Sequence, residues 1–264
     1  MAAPEPFMFR APVLFSLALS MASLSGCVGQ TKACPCLDTA AGATAASGTA
    51  AELSGCSGKA VPAQDGLVED FEDDDGQIVK LDGRDGYWWK NADKEGAKFT
   101  DPPDGSAIKF ADDGAKGSTK SLHVAGVTAK GSDQAYGVEV GTNFISTKAS
   151  LYDGSKYVGV SFMAKVGPKS VKKVRFNMGD VNTHPDLGSC KSCWNHFSKD
   201  VELSTEWKEY QVSFKEMQQR AGWGEPRPKS ISPKELYTLT FAFEGNGGEF
   251  ELFVDDIQFL ECTN

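Results

Sequence analysis

Residues 157–166 read YVGVSFMAKV. One phase of this run carries Val158, Val160, Phe162, Ala164 and Val166. The other carries Tyr157, Gly159, Ser161, Met163 and Lys165. Side chains alternate across a strand with a period of two, so the run predicts a strand with one face in a core. The same period recurs downstream. KKVRFNMGD (172–180) sets Val174, Phe176 and Met178 inward, and Lys173, Arg175 and Asn177 outward. EYQVSF (209–214) sets Tyr210, Val212 and Phe214 on one side, and LYTLTFAFEG (236–245) does so with Leu239, Phe241 and Phe243. FELFVDDIQF (250–259) closes the series. Gly, Asp, Asn and Pro separate these runs, as turns require. FKEMQQRAG (214–222) and SPKELY (232–237) are the helical readings, and both are short. A parallel α/β fold needs long amphipathic helices between strands, and this pattern lacks them. The fold class predicted is all-β, an antiparallel sandwich.

Upstream of Gly66 the chain changes character. APVLFSLALSMASLSGC (11–27) follows Arg10. A charge, a short apolar run and small residues before a cut describe a secretory signal over residues 1–26. The run falls short of the ~20 apolar residues of a stable span. A cysteine at the cut resembles a bacterial lipoprotein signal, which makes Cys27 the acylated mature N-terminus. Val28 follows it where an Asp would retain the chain at the inner membrane, so Gram-negative sorting rules imply an outer-membrane lipoprotein. The tetrapeptide LSGC recurs at 53–56, but AAGATAASGTAAE precedes it, with nothing for a membrane peptidase to hold. Residues 27–65 are rich in Ala, Gly, Ser and Thr and bury too little to offset chain entropy, so they read as a tether. The folded domain is then 66–264.

The formal net charge is −9, and no Lys/Arg cluster is interleaved with aromatics. That argues against a nucleic-acid partner. Seven cysteines leave six once Cys27 is acylated, an even number that suggests disulfides in an exported chain. Local pairs Cys34/Cys36 and Cys190/Cys193 leave Cys56 with Cys262, across the two ends of the domain. The other outcome pairs Cys56 with Cys34 or Cys36. THPDLGSCKSCWNH (183–196) holds Cys190 and Cys193 between His184 and His196. An oxidised staple, a zinc site and a redox pair all fit those residue types, and export favours the staple. The chain has three histidines, and no GxSxG elbow, phosphate loop or HExxH motif occurs, so a non-catalytic binding role is the expectation.

Several strings, in order, carry a resemblance: LVEDFEDDDG (67–76), SLHVAG (121–126), QAYGVEV (134–140), YDGSKYVGVSFMAK (152–165), KKVRFNMGD, ELSTEWKEYQVSF (202–214), AGWG (221–224) and FELFVDDIQF. Together they resemble the family-eleven carbohydrate-binding modules and their galactose-binding-like relatives. The complex I intermediate-associated family belongs to the same group. The resemblance spans nearly all of 66–260 and implies an antiparallel jelly-roll β-sandwich that binds polysaccharide in a cleft on one sheet. It also implies structural calcium near the chain ends. Glu72 and Asp255 are the first choices as ligands, with Asp70 and Asp256, because Ca²⁺ takes 6–8 oxygen ligands.

For the cleft the resemblance points to Arg175, which aligns with an outward Arg of the family, to Tyr136 and to His196; Trp194, on a loop, and Asn177, outward on the strand of Arg175, are the further candidates. Tyr87, Trp88 and Trp89 cannot all share one face; Trp88 is the cleft candidate among them. Trp207 and Trp223 are read as packing residues. Where family members carry HW-V-Y, this chain has His196-Phe197-Ser198-Lys199, so Lys199 stands where a cleft tyrosine would. Two other readings of the same fold are an envelope lipoprotein that binds a protein partner and a glycoside hydrolase.

Overall fold

The computed structural model describes residues 54–130, 136–188 and 190–263. The signal 1–26, Cys27, Cys34, Cys36 and the tether up to Leu53 lie outside the described residues.

Two antiparallel sheets stack face to face. One has the order β2 (Trp88–Ala92), β6 (Val138–Asn143), β11 (Leu236–Phe243), β8 (Lys173–Asp180) and β9 (Phe197–Glu202). The other runs β10 (Lys208–Ser213), β7 (Gly159–Val166), β12 (Asn246–Thr263), β5 (Ser121–Lys130) and β3 (Lys98–Asp101). In that sheet β1 (Lys59–Glu69) pairs with β12, and β4 (Lys109–Ala111) pairs with β5. The all-β sandwich expected from period-two runs is therefore the architecture found.

The runs bury the faces that alternation assigns. Val160, Phe162, Ala164 and Val166 of β7 are buried, as are Val174, Phe176 and Met178 of β8 and Leu239, Phe241 and Phe243 of β11. Between the sheets, Phe162 stacks on Phe176 at 5.2 Å and meets Phe241 edge-on at 5.0 Å. Each such side chain contributes about 1.5–3 kcal/mol by leaving water. Strand β12 is long because its first half lies between β5 and β7 and its second between β1 and β7. The register against β7 shifts between Asp255 and Gln258, where Asp256 adopts φ +46°.

Three expectations are corrected. The first strand begins at Lys59, not at Gly66: Lys59–Pro62 pairs with Leu260–Thr263, and Ala60 and Ala63 are buried. Composition hides this because backbone bonds and two alanines hold the segment. Tyr157 is not outward. It precedes β7 and stacks on Phe259 at 4.5 Å and 3°. The two helical readings are single 3-10 turns, Phe214–Glu216 and Pro233–Glu235, each short of a nucleated α-helix.

Both pairings expected among the described cysteines are present, Cys56–Cys262 and Cys190–Cys193.

Candidate binding groove

The outer face of the five-stranded sheet carries a groove of about 870 Å³. Its floor follows from register. Asn91 pairs with Glu139, Glu139 with Ala242, Ala242 with Arg175, and Arg175 with Asp200, which makes one row across five strands. The next row is Trp89, Gly141, Thr240, Asn177 and Ser198. Small residues at Gly141 and Ala242 keep the centre low, and a Cβ at Gly141 would lie 2.4 Å from the Leu239 carbonyl oxygen. Inward neighbours of the same strands fill the core, so alternation fixes a polar floor above an apolar layer.

Two loops raise a wall. In the loop before β9, Trp194 has φ +71°, and its amide donates to the Thr183 carbonyl at 2.8 Å. Its indole meets the His184 ring edge-on at 4.6 Å. Buried Asn195 joins this loop to residues 220–223: its Nδ2 donates to the carbonyls of Arg220 (3.0 Å) and Trp223 (2.7 Å), and its Oδ1 accepts from the Arg220 amide at 2.9 Å. Gly224, at φ +92°, gives that side chain room, since a Cβ there would lie 2.8 Å from Asn195 Nδ2. His196 is buried with Nδ1 2.7 Å from Thr183 Oγ1, and burial pushes its imidazole down to about 4.

Charge is concentrated at one end. Arg175 Nη2 lies 3.0 Å from Asp200 and 2.6 Å from Glu244, and Arg220 shares Glu244. Arg175 Nε is buried with no hydrogen-bond partner. Burial raises the Glu139 carboxyl, while nearby Arg220 opposes the rise.

Of the six residues expected in a cleft, five line this groove: Arg175, Asn177, Tyr136, Trp194 and His196. Trp88 does not. It is 8% exposed, packs 5.2 Å from Phe71, and donates Nε1–H to the buried Glu69 carboxylate at 3.2 Å. Its neighbour Trp89, on the opposite phase, takes the place expected for it. Trp223 is no packing residue: it is 42% exposed and lines the groove. Its glycine flanks were the overlooked signal, because AGWG is a turn and not a strand. Trp207 does pack, edge-on to Phe253 at 6.3 Å. Lys199 pairs with Phe176, so it sits on the phase opposite Ser198 and leaves the groove; its Nζ lies 3.8 Å from Glu216.

The terminal carboxylates meet a different loop. Glu72 accepts hydrogen bonds from the Thr119 and Ser118 hydroxyls and from the amides of Thr119 and Lys120. Asp255, fully buried on β12, accepts from the Ala115 amide at 2.8 Å and from the Asp256 amide. Asp70 receives the Glu72 amide at 3.3 Å. Burial raises the Asp256 carboxyl, and the charges of Asp70 and Glu72 add to the rise. Among the described residues, no group of three His, Cys, Asp or Glu side chains is placed to hold a metal. Both Glu72 oxygens and both Asp255 oxygens accept from amides or hydroxyls, and the Lys120 carbonyl accepts from the Ser118 hydroxyl at 3.1 Å. The loop cysteines are bonded to each other, and His184 Nδ1 accepts the Asp186 amide at 3.2 Å, so they make a staple and not a zinc site.

No family model matches the chain, and no curated protein matches it. Solved structures with a similar trace include the family 11 carbohydrate-binding module of cellulosomal cellulase Lic26A-Cel5E of Clostridium thermocellum. It is 17% identical over 67% of this chain and 89% of that one, with a TM-score of 0.48. A family 11 module of the same organism, in complex with a β-1,3-1,4-mixed-linked tetrasaccharide, is 18% identical over 67% and 90%, with a TM-score of 0.47. The family 30 module of cellulase Cel9D-Cel44B from Clostridium thermocellum is 12% identical over 76% and 98%, at 0.48. Likeness at this level says nothing of which side chains bind.

Proposed function

We propose that the chain is a non-catalytic, exported lipoprotein that holds polysaccharide in this groove. One observation carries the reading. Of five exposed large apolar side chains among the described residues, Tyr136, Trp194 and Trp223 rim the groove. Tyr87 flanks the inward Trp88 on the same phase as Trp89, so alternation turns it to the same face. Exposed aromatics clustered over a floor of amides, hydroxyls and guanidinium suit a sugar, which presents apolar ring faces and polar edges. The net charge of −9 adds nothing for a polyanion. Asp200 and Glu244 are ion-paired to Arg175, which leaves them poorly suited as a free acid–base pair.

A glycan array tests the reading. Wild type is expected to bind at least one polysaccharide. Arg175→Ala should weaken that binding about tenfold or more, the usual scale for losing a hydrogen bond to a charged group. Silence across the array would move the groove to an envelope protein partner, and release of reducing sugar would make the chain a hydrolase.

Outer-membrane anchorage through acylated Cys27 belongs to the same proposal and rests on the apolar run before it. In a detergent phase partition, wild type should enter the detergent phase and Cys27→Ala the aqueous phase. Equal partition of the two would remove the anchor. Structural calcium at the Glu72–Asp255 loop completes the proposal.

A further inference from the structure

We infer that the Cys190–Cys193 disulfide is a positioning staple for the groove wall, and that opening it by thiol–disulfide exchange slackens the groove while the sandwich stays folded. The inference deepens the groove reading above and rests on it for its binding consequence.

The bridge spans three residues in sequence. So short a ring restricts little of the unfolded chain, and its effect is local. What it restricts is the approach to Trp194. A tryptophan at positive φ is held against its own backbone preference and persists only when its surroundings over-determine it. Here the ring ends at Cys193, which itself lines the groove, directly before Trp194. Within the ring, the amides of Lys191 and Ser192 donate to the Glu225 carbonyl, and the Glu225 amide donates back to Ser192. Directly beyond it, Asn195 holds the backbone of Arg220 and Trp223. The ring, Trp194 and the 219–225 loop are thus one hydrogen-bonded unit, and the disulfide closes its outer edge. Trp194 and Trp223, the two exposed tryptophans of the rim, both depend on it.

Both cysteines are partly exposed, so a thiolate can reach the bridge. With a dithiol reductant, the Sγ–Sγ bond breaks. Two electrons and two protons pass to the cysteines, and the dithiol leaves as its own disulfide. The strands beneath carry their own ladders and do not need the bridge.

Two routes on the full chain test this. Cys190→Ser/Cys193→Ser removes the staple and keeps Cys56–Cys262. Cys56→Ser/Cys262→Ser, compared before and after dithiothreitol, opens the same staple in a sandwich that holds no other disulfide among its described residues. Amide exchange in 190–196 and 219–225 should quicken about tenfold or more by either route, with β6, β8 and β11 still protected. Acrylamide quenching of tryptophan fluorescence should rise, and the rise should shrink in a Trp194→Phe background and vanish in Trp194→Phe/Trp223→Phe. Retention on a β-1,3-1,4-mixed-linked glucan, or on another array-positive polysaccharide, should fall in step. Unchanged protection in both segments would overturn the staple, and so would exchange that quickens evenly across the sheet. A wild type that binds no glycan would overturn the groove reading alone, leaving the exchange comparison to decide the staple.

Discussion

Glu72 lies on the surface, yet both of its oxygens are occupied. The Thr119 hydroxyl first, then the Ser118 hydroxyl and the amides of Lys120 and Thr119, pull its carboxyl down to about 2. From the opposite side, Asp255 takes the Ala115 amide of the same loop. One loop is thereby held by residues from the beginning and the end of the domain. Clustered carboxylates repel, and a divalent cation among them removes that cost. A cation that binds only the folded state at a hundred times its Kd stabilises by about 2.7 kcal/mol. For a domain of this size that corresponds to a rise of about 5–10 °C in Tm. Scanning calorimetry in EDTA and then in excess Ca²⁺ checks it, and Asp255→Ala should abolish the response. A wild-type Tm indifferent to both additions would exclude structural calcium.

At the scale of strands, legibility tracked what holds each element. β7, β8 and β11 are built on alternating apolar side chains, and period alone identified them. The same alternation put Arg175 and Asn177 on the groove floor, because a residue between two core positions has one direction left. It failed where a single residue of phase decides. Tyr87, Trp88 and Trp89 are equally aromatic, and the Trp88 indole is drawn inward by the Glu69 carboxylate, a partner nineteen residues away. The wall was harder still. Trp223 and Asn195 acquire their positions from bonds between two loops, and no local pattern encodes a partner 25 or 28 residues distant. β1 starts earlier than composition predicts for a related reason: Lys59–Pro62 is a strand because β12 offers it a ladder, not because its own side chains demand one. The elements invisible in the sequence are those defined by another element.

For the whole molecule, the decisive covalent link is Cys56–Cys262, with 206 residues of separation. In the chain-entropy account, closing a loop that long removes about 5 kcal/mol of unfolded-state freedom, against about 2 kcal/mol for the Cys190–Cys193 ring. Its position adds to its length. The β1–β12 ladder starts at Lys59 and Thr263, and the bridge lies at that open end, where an unlinked strand frays first. Cys56 also packs with Ala60, Leu260 and Val158 in a small cluster of its own. If the chain is anchored at Cys27 as proposed, any pull arrives through the residues before Cys56. The bridge passes it to β12, which pairs with β5, β7 and β1, instead of peeling β1 away. On that proposal, Cys56 of the second LSGC is where the tether would be made fast to the sandwich. Cys56→Ser/Cys262→Ser should lower Tm by about 10–20 °C and quicken amide exchange over Lys59–Pro62 before any other strand. A non-reducing peptide map of wild type should join the Cys56 and Cys262 peptides. Finding Cys56 joined to Cys34 or Cys36 instead, or a double variant that melts with wild type, would remove the clamp and return the load to β1 alone.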